Sequence, residues 1–171
     1  VLMPFIWMLS TSLKKLSHVF RFPPEFIPDP IVWSNYPDAL TQIPFGLYFK
    51  NSILVTGGCL LGELIVSAIV AYSFARLHWK GRDFLFIIVL STMMLPRQVT
   101  LIPEFIIFKE LGLLDTFWPL ILPSWFGNPF YIFLMRQYFL TISTELDDAA
   151  VIDGCSKFGI FWRIILPLST P

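Results

Sequence analysis

The sequence predicts an all-α membrane protein built as a multi-helix transmembrane bundle. Three observations carry that prediction. Hydrophobic residues fill 56% of the 171 positions and charged residues only 14%, and the mean hydropathy is +0.70. A soluble domain of this length cannot hide so much apolar surface in one core. Three stretches also approach the roughly 20 apolar residues that cross about 30 Å of hydrocarbon as a helix.

Net charge is zero and no basic run occurs, so composition implies neither nucleic acid nor an anionic lipid surface as a partner. Cys59 lies in an apolar run and Cys155 in a charged one, with no Cys or His neighbours at metal-ligand spacing. Both read as structurally incidental, with no metal site and no disulfide.

Val1 to Leu9 is apolar without a basic front or a small-residue cleavage site, which suits the end of a first membrane helix better than a signal peptide. Residues 10–50 carry Pro23, Pro24, Pro28, Pro30, Pro37 and Pro44, a density that predicts a stiff, extended, extracytoplasmic loop. Trp33 and Tyr36 suit the headgroup level. Residues 51–138 form the core, with membrane helices expected near 53–75, 84–103 and 117–135. Between the last two, Glu104 to Thr116 mixes apolar and charged residues as a short interfacial helix does. Residues 139–171 read as a cytoplasmic helix-turn-helix. The abrupt stop at Pro171 and the abrupt start at Val1 read as a fragment truncated at both ends.

Basic residues orient the chain. Arg76, Lys80 and Arg82 crowd one connection, and Arg136, Lys157 and Arg163 follow the last span, so the positive-inside rule places both in the cytoplasm. Lys14, Lys15 and Arg21 fall on the opposite side and oppose this signal.

Two intramembrane features are costly enough to need a reason. Glu63 is the only ionised group of the span 53–75; a carboxylate there faces protein or water, as a pathway or coupling residue or as a structural hydrogen-bond partner of a neighbouring helix. In the span 84–103, Pro96 and Pro103 remove backbone donors beside Arg97, Gln98 and Thr100. Broken backbone at that depth belongs in a solute pathway or in a kink that shapes the bundle, and Arg97 can also snorkel outward. Gly58 and Gly62, with Ser67, Ala68, Ala71 and Ala75, allow close helix approach, in the bundle or in a dimer.

The final segment is a charged helix-turn-helix. Thr144 is a good N-cap, and Glu145, Asp147 and Asp148 suit the positive end of the helix dipole, with Asp147 imitating a capping box. Gly154 ends this helix, Ser156 starts the next and Pro167 closes it. The first helix is too short to be stable alone in water. It rests on its own bundle as an interfacial loop, or holds a partner that the small Ala149 and Ala150 allow to come close.

The segment resembles the signature loop of the membrane subunits of ATP-binding cassette (ABC) importers: Glu-Ala-Ala, three residues, Gly, nine residues, Ile, one residue, Leu-Pro. Here it falls on Asp148-Ala149-Ala150, Gly154, Ile164 and Leu166-Pro167, every spacing met and Asp148 replacing Glu with its charge kept. Ser143 stands where the family often has proline before Glu145, which loosens the helix entry. Leu9-Ser-Thr-Ser-Leu-Lys14, Phe22-Pro-Pro24, Phe26-Ile-Pro28, Trp33-Ser-Asn-Tyr36, Asn51-Ser52, Ala71-Tyr-Ser-Phe-Ala-Arg76, Gly81-Arg82, Thr92-Met-Met-Leu-Pro96 and Arg136-Gln137 are similar to the carbohydrate-importer permeases of the MalG-like type.

The resemblance implies a MetI-like permease bundle in the bacterial inner membrane, forming half of a sugar pathway. Its implied partners are a second permease subunit, an extracytoplasmic solute-binding protein and a cytoplasmic ABC ATPase dimer. It implies that Glu145, Asp148, Ala149, Ala150, Asp153, Gly154, Ile164, Leu166 and Pro167 form the ATPase coupling loop. Glu63, Pro96, Arg97, Gln98 and Thr100 are the candidate pathway residues. No cofactor is expected on the chain itself, and with no Gly-x-x-x-x-Gly-Lys-Ser/Thr loop ATP hydrolysis is expected in the ATPase partners, not in this non-enzymatic subunit. A permease for glycerol-phosphate or another non-sugar solute, and an ion-coupled secondary transporter, are alternatives. A membrane enzyme using Glu63, Asp147, Asp148 and Asp153 is disfavoured, because a solvated, partner-facing helix explains the three aspartates and no His or Cys joins them.

Overall fold

A computed structural model describes residues 2–169, which are helical with irregular connections and contain no strand. Val1, where the expected first stub begins, and Pro171 lie outside the described residues. The chain forms two compact units, Val1–Ile53 and Leu54–Pro171.

In the first unit, α1 (Met3–Ser12) covers most of the stretch expected to be the end of a helix, while α2 (Leu16–Val19) and α3 (Asn35–Thr41) are short helices within the expected extended loop. Proline at a helix start loses no intrahelical bond, so Pro4 and Pro37 sit in the first turns of α1 and α3, while Pro23, Pro24, Pro28 and Pro30 keep the stretch between α2 and α3 irregular. Asn35 Nδ2 donates to the carbonyls of Ser12 and Lys14, each at 2.9 Å, and ties α3 to the end of α1. Lys14 is buried with its ammonium 4.1 Å from the Trp7 ring centroid, an attraction that offsets part of its desolvation.

The helix α4 (Phe45–Arg76) runs 32 residues from the first unit into the second and is longer than the predicted span. Among the described residues it alone is long and apolar enough to cross a membrane as one straight helix. Its small residues serve packing inside the second unit: Ser67, Ala68, Ala71 and Ala75 are all buried.

The two later spans are broken, not straight. α5 (Arg82–Ser91) continues through a 3₁₀ turn (Thr92–Met94) and meets α6 (Arg97–Glu110) at a 98° bend. Pro96 disfavours helical backbone at the residue before it, and Leu95 is accordingly extended (φ −81°, ψ 117°). Pro103 does not end the helix, so residues 104–110 of the expected interfacial helix are the second half of α6. The predicted span 117–135 becomes α7 (Trp118–Ile121), a 3₁₀ turn (Leu122–Phe126) and α8 (Pro129–Thr141). Its break centres on Gly127, whose φ of +79° is a conformation that glycine adopts without strain.

Asn128 then caps α8, accepting from Phe130 N at 3.0 Å. Its own N–H donates at 3.1 Å to Ser67 Oγ, which is fully buried on α4. Ser67→Ala is expected to lower stability by about 1–3 kcal/mol by orphaning that donor, read as the shift of the full-length protein's thermal transition in detergent.

The chain ends in α9 (Glu145–Ile152), α10 (Lys157–Ile160), a π turn (Phe161–Ile165) and α11 (Leu166–Leu168). Pro167 does not close the second helix. It has no N–H for the carbonyl four residues back, and the wider π turn just before it carries the helix onward. The core gathers where α4, α5, α8, α9 and α10 meet, around Phe74, Phe86, Phe139, Ala150, Ile160, Phe161 and Ile165.

Candidate functional site

Two places in the second unit concentrate polar chemistry. The first is a cavity of about 680 Å³, open on one side, at the break between α5 and α6. Its lining includes Glu63, Thr92, Arg97, Thr100, Glu104, Ser124 and Asn128. Of the five pathway candidates it brings together Glu63, Arg97 and Thr100; Pro96 and Gln98 lie outside the lining. Sequence reasoning missed Glu104, which it placed on an interfacial helix, and Asn128.

The Glu63 carboxylate accepts from Asn128 Nδ2 at 2.9 Å, the structural hydrogen bond to a neighbouring element, and it also lines the cavity. A half-buried carboxylate with one amide partner still presents acceptor capacity to a solute hydroxyl or to water. Trp125, next to the lining residue Ser124, packs on α4 one residue before Glu63. Its Nε1–H donates to the Gly58 carbonyl at 3.1 Å, and its ring lies so close to Gly62 that an added Cβ would sit 2.3 Å from Cδ1. The small-residue face of α4 therefore packs inside its own bundle.

The second place is the α9–α10 turn. Gly154 has φ +79° and open space where a Cβ would stand, so its role is conformational. Ser156 caps α10 by accepting from Gly159 N at 3.1 Å. Thr144, by contrast, makes no side-chain cap of α9. Ser143 Oγ accepts from Glu145 N at 3.3 Å instead, so the serine at the family's proline position stabilises the helix start.

The motif residues divide between two faces. Glu145, Asp148, Ala149, Asp153, Gly154 and Pro167 are exposed, whereas Ala150 is buried and Ile164 and Leu166 pack against the core. Ile152 is 86% exposed between the carboxylates of Asp148 and Asp153. Asp147 is no capping-box residue. It is buried, with Oδ2 3.6 Å from Nη1 of Arg76 at the end of α4. Arg76 also donates to the Ile142 carbonyl at 2.7 Å. The signal available in the sequence was the charge at the last turn of a long apolar helix, read there only as a topology marker.

The same end holds Arg136, whose guanidinium lies 4.2 Å from the Phe86 ring centroid and donates to the Phe74 carbonyl at 3.2 Å. The two basic connections assigned to one side of the membrane thus meet at one end of the bundle.

The described residues form a helical bundle of the MetI-like permease class, with a polar cavity at broken helices and a separate, exposed acidic turn. The chain belongs to the family of binding-protein-dependent transport system inner membrane components, whose pattern it matches over residues 63–171. It is 39% identical, over 98% of its length and 56% of the relative's, to the "Probable ABC transporter permease protein YurM" of Bacillus subtilis (strain 168). It is 34% identical, over 98% of its length and 61% of the relative's, to the arabinooligosaccharides transport system permease protein AraQ of Halalkalibacterium halodurans. Among solved structures, a bacterial ABC transporter involved in import of the acidic polysaccharide alginate superposes with a TM-score of 0.84 at 30% identity, covering 98% of this chain and 59% of that one. The chain therefore spans somewhat over half the length of the relatives it matches.

Proposed function

We propose that this chain is the permease subunit of an ATP-driven, binding-protein-dependent sugar importer, multi-pass in the bacterial inner membrane and contributing half of the translocation pathway. A second permease subunit completes the pathway, an extracytoplasmic solute-binding protein delivers sugar, and a cytoplasmic ATPase dimer hydrolyses ATP. The observation that carries this reading is the α9–Gly154 turn: a motif of fixed spacing presents Ile152 and the carboxylates of Asp148 and Asp153 outward, while Ala150, Ile164 and Leu166 hold it to its own core.

In this mechanism the ATPase cleft receives α9 and the turn. Closure of the ATPase dimer on ATP displaces α9 and switches the bundle between inward-facing and outward-facing states. The cavity at Glu63, Arg97 and Thr100 forms one wall of the pathway. The cytoplasmic placement of the turn agrees with the basic connections that meet beside it. Of the opposing cations, Lys14 is buried against Trp7 and Arg21 pairs with Glu25 at 2.8 Å, which leaves Lys15 exposed on that side.

Cys155 is only half-exposed and packs beside Gly159, so Ile152→Cys is the better probe. In membranes holding the full-length permease and an ATPase with a cysteine in its cleft, a short thiol crosslinker is expected to join the two in an ATP-sensitive manner. No crosslink at any cleft position, with both proteins present, would return the turn to an interfacial loop and favour ion-coupled transport.

A further inference from the structure

The C-terminal end of α4 buries a charge pair in an arrangement that stability alone does not explain. The Arg76 side chain is 3% exposed and that of Asp147 12%, yet they meet end-on at 3.6 Å, and Arg76 Nε and Asp147 Oδ1 are buried without hydrogen-bond partners. Desolvating two charges costs several kcal/mol per ion unless the geometry is excellent and the remaining atoms are satisfied. An apolar pair would hold these helices together at least as well.

The pair does join particular elements. Arg76 binds the connection before α9 through Ile142 and α9 itself through Asp147. One turn earlier on the same face of α4, the Tyr72 hydroxyl donates to the Lys157 carbonyl at 2.9 Å and the Tyr72 ring packs on Phe161. Two successive turns of α4 thus grip both halves of the helix-turn-helix. From there α4 runs unbroken back to Glu63, about 20 Å away at 1.5 Å per residue, where it forms part of the cavity wall.

We propose that Arg76 and Asp147 form the joint that transmits displacement of α9 along α4 to the Glu63 wall of the cavity, both acting as positioning residues; this rests on the importer reading above. Because one guanidinium holds both the Ile142 carbonyl and the Asp147 carboxylate, the end of α4 follows α9 when it shifts.

The test uses full-length permease assembled with its partner permease and ATPase in phospholipid vesicles, Cys59 and Cys155 replaced by Ser. Ile152→Cys reports docking by crosslinking to the ATPase cleft. In a parallel preparation Ser124→Cys, in the cavity lining, reports the pathway through its alkylation rate with N-ethylmaleimide, with and without ATP. The parent is expected to show an ATP-dependent change of about tenfold, within the range of allosteric coupling. Asp147→Asn is expected to keep the crosslink and lose the ATP dependence, and Asp147→Glu to restore it. Retained ATP dependence in Asp147→Asn overturns the joint, as does a variant that lowers only the melting temperature. Should Asp147→Asn fail to dock, Tyr72→Phe decides: a reduced ATP response supports the linkage and an unchanged one removes it. Failure of the parent itself to crosslink counts against the importer reading instead.

Discussion

Gly154→Asp in the full-length protein is expected to leave membrane insertion and helix content intact while abolishing ATP-driven uptake. The backbone at Gly154 is left-handed, with φ +79°, which costs most L-residues about 1–2 kcal/mol. Asp and Asn tolerate that conformation better than most, and no atom of the chain obstructs a new side chain there. The fold should therefore survive. The added carboxylate instead stands beside Asp153 on the exposed face that the proposed importer presents to its ATPase, and an unpaired charge carried into a closed interface costs about 3–5 kcal/mol, or a hundredfold or more in docking. Gly154→Asn separates the two effects: with the same tolerance for the backbone and no charge, it should retain part of the Ile152→Cys crosslink that Gly154→Asp loses. Wild-type uptake in Gly154→Asp would remove the docking argument.

The helix-turn-helix around Gly154 was legible in the sequence because its constraints are local. A left-handed glycine at 154 and a serine cap at 156 lie within three residues of each other. The buried Arg76–Asp147 pair beneath it was not legible. Arg76 and Asp147 lie far apart in sequence, and each had an adequate local explanation, as a topology marker and as a first-turn carboxylate. Tertiary placement alone turns both into a buried pair.

The membrane spans show the same division. Composition sufficed for α4, where nothing breaks the helix between Phe45 and Arg76. The other two stretches are also apolar but broken: Pro96, marked in the sequence as a site of broken backbone, and Gly127, which was not, turn the chain where the cavity lies. Asn128 could have been suspected from its place between Gly127 and Pro129, where a capping side chain is needed before a proline-started helix. Its bond to Glu63 spans 65 positions and leaves no local trace.

Gly62, beside the cavity residue Glu63, has no room for a side chain. Its Cα faces the Trp125 ring so closely that an alanine Cβ would lie 2.3 Å from Cδ1 and 2.4 Å from Nε1, separations that real atoms do not adopt. Gly62→Ala must therefore displace Trp125 and with it the bond from Nε1 to the Gly58 carbonyl. Overpacking of this kind costs about 1–3 kcal/mol, and the carbonyl left without its donor adds to it. The effect should not stop at stability, because Trp125 and Asn128 flank Gly127 in one short connection, and moving the first draws the second from Glu63. The check is a double-mutant cycle with Trp125→Ala on full-length protein in detergent. Each single change should destabilise, while the pair together should cost less than the sum by about 1 kcal/mol or more, since Gly62→Ala has nothing to strike once the ring is gone. Additive effects would show that the ring does not press on Gly62, and would remove the link drawn here between the small-residue face of α4 and the shape of the cavity.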